Sequence, residues 1–256
     1  MRQHLLLCSI AVSFLASCST IQPPPQDRDA LIDEFLERSL LRQEAVQASQ
    51  QYAQLQNAKA ASPTSDAESK GRALNREMEE ALRPEATVPL MQAYLRTQRA
   101  ETLEQVLVWL RTPLAQRMLA LAAEPFDYAG FNSYQVPKNE LRYELIPRLD
   151  KATHTSELAI EDTTEKTKLL GPILMKKGES VPSDYKLAPM IAQFLQAQLL
   201  RKQAFIYQKA SDQDLRQYVE FLESPLGQSY VAIRRNTLVA GHSKAQAVMA
   251  KLFQNK

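Results

Sequence analysis

The chain has 256 residues, and its 31 Lys or Arg against 29 Asp or Glu leave a formal net charge of only +2. Because the basic residues form no continuous stripe, this balance argues against a nucleic-acid partner. The 6 glycines lie too far apart for a phosphate-binding loop or a dinucleotide fingerprint, which excludes glycine-cradled phosphate chemistry. Few glycines beside abundant Ala, Leu, Gln and Glu favour an all-α protein.

Residues 1–17 have the composition of a secretory signal. Arg2 gives a positive start, and a mostly apolar run from Leu5 to Leu15 follows. That run is shorter than the roughly 20 apolar residues that a membrane-spanning helix needs. We therefore expect residues 1–17 to be a signal peptide that is removed from the mature protein.

The four residues Leu15-Ala16-Ser17-Cys18 resemble the bacterial lipobox, in which the cysteine becomes the acylated first residue. The resemblance implies a palmitate-bearing lipoprotein with Cys18 as its lipid attachment site. Ser19, rather than Asp, after the cysteine implies sorting to the outer membrane. We therefore expect a lipid anchor on the periplasmic face of a Gram-negative outer membrane, and the alternative is an ordinary signal peptide that contains a cysteine.

Residues 18–29 form a predicted tether between the lipid and the folded part. Pro23-Pro24-Pro25 favours extended polyproline geometry, so the spacer reaches up to roughly 30 Å from the lipid surface at about 3 Å per residue. Cys8 leaves with the signal peptide and Cys18 carries the lipid, so the mature chain has no cysteine pair for a disulfide. Its stability must come from packing.

Residues 30–123 form the first predicted helical unit. Asp27 or Asp29 can cap a long first helix that runs to about Ala60. An exposed loop over residues 62–71 follows, whose Ser, Pro and Gly residues have nothing to bury. Two further helices are predicted in this unit, over residues 72–82 and from about Pro89.

A near repeat dominates the sequence pattern: residues 211–230 match residues 99–118 without a gap. Each copy carries an apolar stripe at helical spacing, followed by a proline, Pro113 or Pro225, that ends one helix and opens the next. The stripes comprise Leu103, Val106, Leu107 and Leu110 in the first copy and Leu215, Tyr218, Val219 and Leu222 in the second. We therefore expect a tandem duplication in which each of two related helical units buries one stripe.

The starts of the two stripes differ in sequence. Ser211, followed three residues later by Asp214, has the form of a capping box. The first copy has Arg99 at the position of Ser211, and its nearest equivalent of the box is Thr102 with Gln105. The sequence therefore predicts that the two helices start about a turn apart.

An acidic helix start, an aromatic-rich helix and a Phe-x-x-Ser-Pro-x-Gly turn together resemble a family of bacterial secreted proteins that is defined as a domain of unknown function. In the second copy the resemblance is carried by Phe221, Ser224, Pro225 and Gly227. The first copy has Trp109, Thr112 and Ala115 in place of the Phe, Ser and Gly. The resemblance implies an all-helical fold and a place in the cell envelope, and it brings no catalytic residues.

Residues 124–138 separate the two units and have the Pro, Gly and Asn content of a connector. Their aromatics are too many for a free linker, so we expect the connector to pack against one or both units. The second unit covers residues 139–256. It is predicted to contain a helix kinked or ended at Pro147, a helix from Ser156 to Leu170, an apolar helix over residues 189–209 and a tail helix to Phe253.

The sequence contains no recognisable catalytic or metal-binding motif. The histidines of the predicted mature chain, His154 and His242, lie outside any metal-ligand or nucleophile pattern. The neighbouring carboxylates of Glu79-Glu80 and Glu161-Asp162 point about 100° apart on a helix, so neither pair can do acid/base work by itself. We therefore predict no catalytic residue, no metal and no cofactor.

Two functions remain open at this point. The first is a non-catalytic envelope lipoprotein whose helical module binds a protein, peptide, lipid or cell-wall polymer. The second is an envelope hydrolase whose carboxylates are brought together only by the fold. The absence of a motif favours binding. Candidates for a groove at the seam between the units, with core packing as the alternative, are Trp109, Phe126, Tyr128, Phe131 and Tyr134.

Overall fold

The computed structural model describes residues 27–60, 68–136, 140–161, 163 and 187–254. All regular elements in these ranges are α-helices, which confirms the all-α prediction. Within the same ranges no helix is long and apolar enough to cross a bilayer. The predicted signal peptide, Cys18 and the proline-rich tether up to residue 26 lie outside the described residues.

Thirteen helical segments can be followed along the described parts of the chain. They are α1 (Arg28–Arg38), α2 (Leu41–Ala60), α3 (Glu68–Leu82), α4 (Pro84–Leu95), α5 (Ala100–Leu110), α6 (Pro113–Ala123), α7 (Tyr128–Ser133), α8 (Glu140–Thr153), α9 (residues 155–161), α10 (Leu187–Ile206), α11 (Asp212–Glu223), α12 (Pro225–Gly241) and α13 (Ser243–Gln254).

The predicted long first helix is wrong, because the chain breaks between α1 and α2. Asp27 caps α1 as expected, its side chain accepting a hydrogen bond from the Asp29 N–H. The break comes at Leu40, which adopts a left-handed backbone with φ of 62°. This turn lets Leu36 and Leu41, one on each side of it, both be fully buried. Core packing therefore overrides the continuous helical pattern of the sequence.

Two further predictions involve prolines inside helices: the start near Pro89 is wrong, and of the kink or helix end predicted at Pro147 the end is wrong. Helix α4 begins at Pro84, not near Pro89, and α8 runs through Pro147 to Thr153. An interior proline costs about 3 kcal/mol, whereas burial of one large apolar side chain contributes roughly 1.5–3 kcal/mol. Because α8 buries Leu145, Ile146 and Leu149 around Pro147, packing outweighs the proline.

The starts of α5 and α11 fall at matching positions of the repeat, so the predicted offset of a turn is wrong. Ser211 caps α11 by accepting from the Asp214 N–H, as the capping box predicts. Helix α5 begins at Ala100 after Arg99, which makes no side-chain capping bond, and Thr102 lies inside the helix. The buried stripe thus sets where α5 begins, even without a cap.

One predicted helix start in the second unit also needs correction. Ser156 lies inside α9 and does not cap it; its backbone N–H donates to Asp150 Oδ1 at 3.1 Å. The predicted end of that helix at Leu170 lies outside the described residues. The predicted tail helix to Phe253 is α13, which follows α12 after His242, the C-cap residue of α12. Helix α13 then packs on α3, where a small apolar cluster includes Met78, Ala81, Ala245 and Val248.

The core is continuous across both predicted units. Helix α1 packs on α5 and α8 packs on α11, so each stripe is covered by the first helix of its own unit. The helix that follows each proline turn packs on the other unit. Helix α6 packs on α11, and α12 packs on α4 and α5 as well as on α11. All residues of the two predicted stripes are buried, which confirms that part of the prediction. One apolar cluster contains residues of both units.

The Thr-Pro and Ser-Pro turns are built by the same hydrogen bonds. The Thr112 hydroxyl donates to the Trp109 carbonyl and accepts from the Ala115 N–H. In the second turn, Ser224 bonds to Phe221 and Gly227 in the same way. The side-chain amides of Gln116 and Gln228, three residues after each proline, donate to the carbonyls of Leu110 and Leu222.

The first helix of each unit also ends in the same way. The hydroxyls of Ser39, the C-cap residue of α1, and of Thr153, the last residue of α8, each donate to the carbonyl four residues earlier. The next residues, Leu40 and His154, have positive φ angles of 62° and 55°. Near the start of each helix, Arg28 and Arg142 donate to carbonyls of the loop that precedes α5 or α11.

One ion pair occurs in both units with its charges exchanged. In the first unit Glu34 of α1 accepts two hydrogen bonds from Arg111, at 2.8 and 2.6 Å. In the second unit Arg148 of α8 donates two to Glu223, at 2.9 and 2.7 Å. The hydrogen bonds from Arg111, with Arg38 beside them, lower the pKa of Glu34 to about 2. The hydrogen bonds from Arg148 lower the pKa of Glu223 as well.

Leu110→Ala and Leu222→Ala should each destabilise the protein by roughly 2–5 kcal/mol, because each removes a buried side chain and leaves a cavity. Urea unfolding followed by circular dichroism would measure the loss. Val108→Ala is the matched control, because Val108 is 65% exposed on the same helix as Leu110. A loss in either leucine variant no larger than in the control would contradict the packing of the stripes.

Arg148→Glu and Glu223→Arg should each lower stability, since each places like charges in contact, while the double variant should recover most of the loss. The effects should be about 0.2–1 kcal/mol because the side chains are 35% and 38% exposed. Recovery stays partial because Glu144 also pairs with Arg148. Stability is measured by thermal unfolding. If the double variant loses as much stability as the two single variants together, the ion pair cannot be reversed in the second unit.

Candidate functional site

Trp109 lies where the two predicted units meet. Its ring stacks on Phe221, its counterpart in the second repeat, with ring centroids 3.7 Å apart and planes 4° apart. Tyr218 and Tyr230 flank the same ring, with centroids at 6.0 and 5.6 Å. Phe35 of α1 packs edge-on against Tyr230. The centre of the seam is therefore filled by aromatic rings.

The connector aromatics form a different cluster. Phe126, Phe131 and Tyr134 surround Phe205 of α10, with ring centroids 5.2 to 5.6 Å from it. The Arg201 guanidinium donates to the carbonyls of Phe131 and Tyr134 at 2.8 Å each, which fixes the end of α7. The connector thus packs on the second unit, as one of the two expected arrangements.

The predicted groove residues therefore fall into two separate groups. Among the described residues no ring contact links Trp109 to the connector aromatics. Trp109, Phe126, Phe131 and Tyr134 are partly buried in contacts with other rings, as the core alternative anticipates. Tyr128 alone of the five is largely exposed, at 73%. The structure does not assemble these five side chains into one groove.

Three tyrosines of the second unit stand where the first unit has apolar side chains. Tyr207, Tyr218 and Tyr230 correspond in the repeat to Leu95, Val106 and Met118, and all six residues are buried. Burial raises the pKa of each tyrosine hydroxyl. At neutral pH these hydroxyls are therefore protonated, and none is poised as a general base. An ion pair between Arg234 and Glu44 beside them joins α12 to α2.

A cavity of about 500 Å³ lies against α8, α9 and α10. This volume is in the range of small-molecule sites. Both apolar and charged side chains contribute to its wall. The described residues that line it are Pro147, Asp150, Lys151, His154, Ser156, Glu157, Ile160, Gln196 and Leu200.

Asp150 is the most deeply buried acidic residue of the cavity wall, with 7% of its surface exposed. Its Oδ1 atom accepts three hydrogen bonds, from the Ser156 N–H at 3.1 Å, the Ser156 hydroxyl at 2.9 Å and Gln203 Nε2 at 2.9 Å. Within the described ranges, Oδ2 has no hydrogen-bond partner and no cation pairs with the carboxylate. The Gln203 Oε1 atom is likewise buried without a partner.

The cavity holds the residue types of a hydrolase triad but not the hydrogen bonds that link them in a triad. The Ser156 hydroxyl donates to Asp150 and is only 3% exposed, so no histidine activates it. His154 instead contacts Glu157, with Nδ1 and Oε2 2.8 Å apart. His242, the other histidine singled out in the sequence, lies at the break between α12 and α13, and burial lowers its pKa.

Sequence reasoning missed the cavity because part of its wall comes from α10, which lies far along the chain from the adjacent helices α8 and α9. Asp150 and Gln203 belong to no local motif. The signal that could have found them lies in the repeat itself, where Leu36 and Met91 occupy the corresponding positions of the first unit. A polar replacement at a core position of a repeat is informative because a core position normally stays apolar.

In the described parts of the chain no group of three or more His, Cys, Asp or Glu residues could hold a metal ion. Comparison of the chain with protein-family models, with curated proteins and with solved structures gave no match.

Replacing both Trp109 and Phe221 by alanine should cost less than the sum of the single replacements. The difference should be about 0.5–1.5 kcal/mol, because the first substitution already removes the stack. Denaturant unfolding of the two single variants and the double variant measures this coupling. Trp109→Ala with Phe126→Ala is the matched control, since those rings do not touch. Equal coupling in both pairs would contradict a specific stack.

Proposed function

We propose that the protein is a lipid-anchored component of the bacterial cell envelope that acts by binding and not by catalysis. The observation that carries the binding role is the cavity beside α8. It has the volume of a ligand site, while its serine and histidine are hydrogen-bonded to carboxylates and not to each other. A nucleophile held in this way is not activated.

The anchor is the second part of the proposal. The lipobox-like residues ending in Cys18 and the proline-rich tether support attachment to the periplasmic face of the outer membrane. The ligand or partner is then an envelope protein, a peptide, a lipid or a cell-wall polymer. The resemblance of the Ser224-Pro225 turn to a bacterial secreted family is consistent with this compartment.

We also propose that the helical domain arose by tandem duplication. The paired turns, the paired left-handed residues and the exchanged ion pair support it, because these features match between the units in order along the chain. Because α6 packs on α11 and α12 packs on α4 and α5, the two units share one core. On this view the chain is one domain built from two related halves.

An envelope hydrolase is the second candidate, favoured by the presence of two carboxylates, Asp150 and Glu157, on the cavity wall. Lone carboxylates suffice for glycoside hydrolysis when one is protonated and the other ionised. Against this role, Glu157 contacts His154, and three donors from Ser156 and Gln203 hold Oδ1 of Asp150. Turnover of a cell-wall or lipid substrate by the purified protein would establish the hydrolase and overturn the binding role.

Cys18→Ala should abolish acylation and release the protein from the outer membrane, because a single cysteine carries the proposed anchor. Labelled palmitate incorporation and membrane fractionation measure the two effects. Cys8→Ala is the matched control: it lies in the predicted signal peptide, so it should leave both unchanged. Outer-membrane fractionation of Cys18→Ala equal to wild type would refute the anchor.

A further inference from the structure

We infer that the cavity beside α8 binds a ligand through an alkylammonium or alkylguanidinium group, with the Asp150 carboxylate as its counter-ion. The inference deepens the proposed binding role and rests on it. Its starting point is the free oxygen of Asp150. Three protein donors converge on Oδ1, which leaves Oδ2 of a residue on the cavity wall as an unused acceptor.

The first unit shows that the fold does not require this polar network. Leu36 of α1 corresponds to Asp150, since each is followed at the same spacing by a hydroxyl residue that bonds back and by a left-handed residue. Met91 of α4 corresponds to Gln203 by the repeat. Both first-unit residues are apolar and fully buried. The same helix packing is therefore achieved without a buried carboxylate.

The network leaves an acceptor open to the cavity. Asp150 is 7% exposed, and no Lys, Arg or His pairs with it among the described residues. Its Oδ2 atom has no hydrogen-bond partner there but keeps accessible surface, whereas the Gln203 Oε1 atom is buried without a donor. Carboxylates with so little exposure are normally paired with an opposite charge. A cationic ligand in the cavity would supply that charge and a donor to Oδ2.

The cavity wall indicates an organic cation and not a metal ion. Pro147, Ile160 and Leu200 offer apolar contacts suited to an alkyl chain. Hard metal ions instead need about six oxygen ligands, which this wall does not supply. Two carboxyl side chains, Asp150 and Glu157, line the cavity beside one amine, Lys151, whose side chain is exposed.

The test uses the full chain in detergent micelles, titrated with pentylamine and with 1-pentanol, its uncharged counterpart of equal length. Calorimetry or NMR should detect binding of the amine, with the alcohol at least about tenfold weaker. Asp150→Asn keeps an acceptor for the Ser156 and Gln203 donors but removes the charge, so it should weaken amine binding at least about tenfold. Glu220→Gln, an exposed carboxylate on α11, is the control and should bind as wild type does.

A second variant protects the test from a folding artefact. Asp150→Leu with Gln203→Met installs the residue types of the first unit at the corresponding positions. It should lose amine binding and unfold at a higher urea concentration than wild type. If it unfolds at a lower concentration, the network is structural and the inference is overturned.

Equal amine affinity in wild type and Asp150→Asn, equal affinity for amine and alcohol, or displacement of the amine by millimolar Ca²⁺ would each overturn the inference. These outcomes leave the proposed function standing if Cys18 is acylated and no turnover is found. Turnover of an envelope substrate would instead overturn the binding role, whether or not the amine binds at Asp150.

Discussion

The stack of Trp109 on Phe221 is the contact on which the rest of the structure depends. Each ring belongs to the helix that carries a buried stripe, and each stands at the same position in its repeat. The stacked rings join α5 to α11, while α6 packs on α11 and α12 packs on α4 and α5 as well as on α11. One continuous core results, in which neither half buries its apolar surface alone.

The two halves solve the same packing problem with different chemistry. The first half fills its interior with Leu36, Met91 and Leu95, whereas the second places Asp150, Gln203 and Tyr207 at those positions. Buried polar groups add nothing to stability that apolar groups of similar size could not provide. The first half is thus an internal reference for the second. Their difference points to the α8 cavity more directly than any local pattern does.

Local patterns predicted the helical class, the stripes and both proline turns, because helical spacing and caps are properties of neighbouring residues. They failed wherever tertiary packing decided the outcome. Leu40 breaks a helix that the pattern continues, and α8 continues through Pro147, where the pattern predicts a kink or an end. Trp109 and the connector aromatics were chosen as candidates because they are aromatic. Their spacing in the sequence could not show that their ring partners are Phe221 and Phe205. The cavity was missed because α10, distant in the chain, closes it against α8 and α9.

The exchanged charges of the Glu34–Arg111 and Arg148–Glu223 pairs have a consequence for how the chain assembles. Helices α1 and α8 present similar apolar faces, so each could dock on the stripe of the other half. With the order reversed, α1 on α11 would set Glu34 against Glu223, and α8 on α5 would set Arg148 against Arg111. Like charges in contact oppose such pairings. The reversal therefore favours α1 on α5 and α8 on α11 over the two exchanged pairings within the chain.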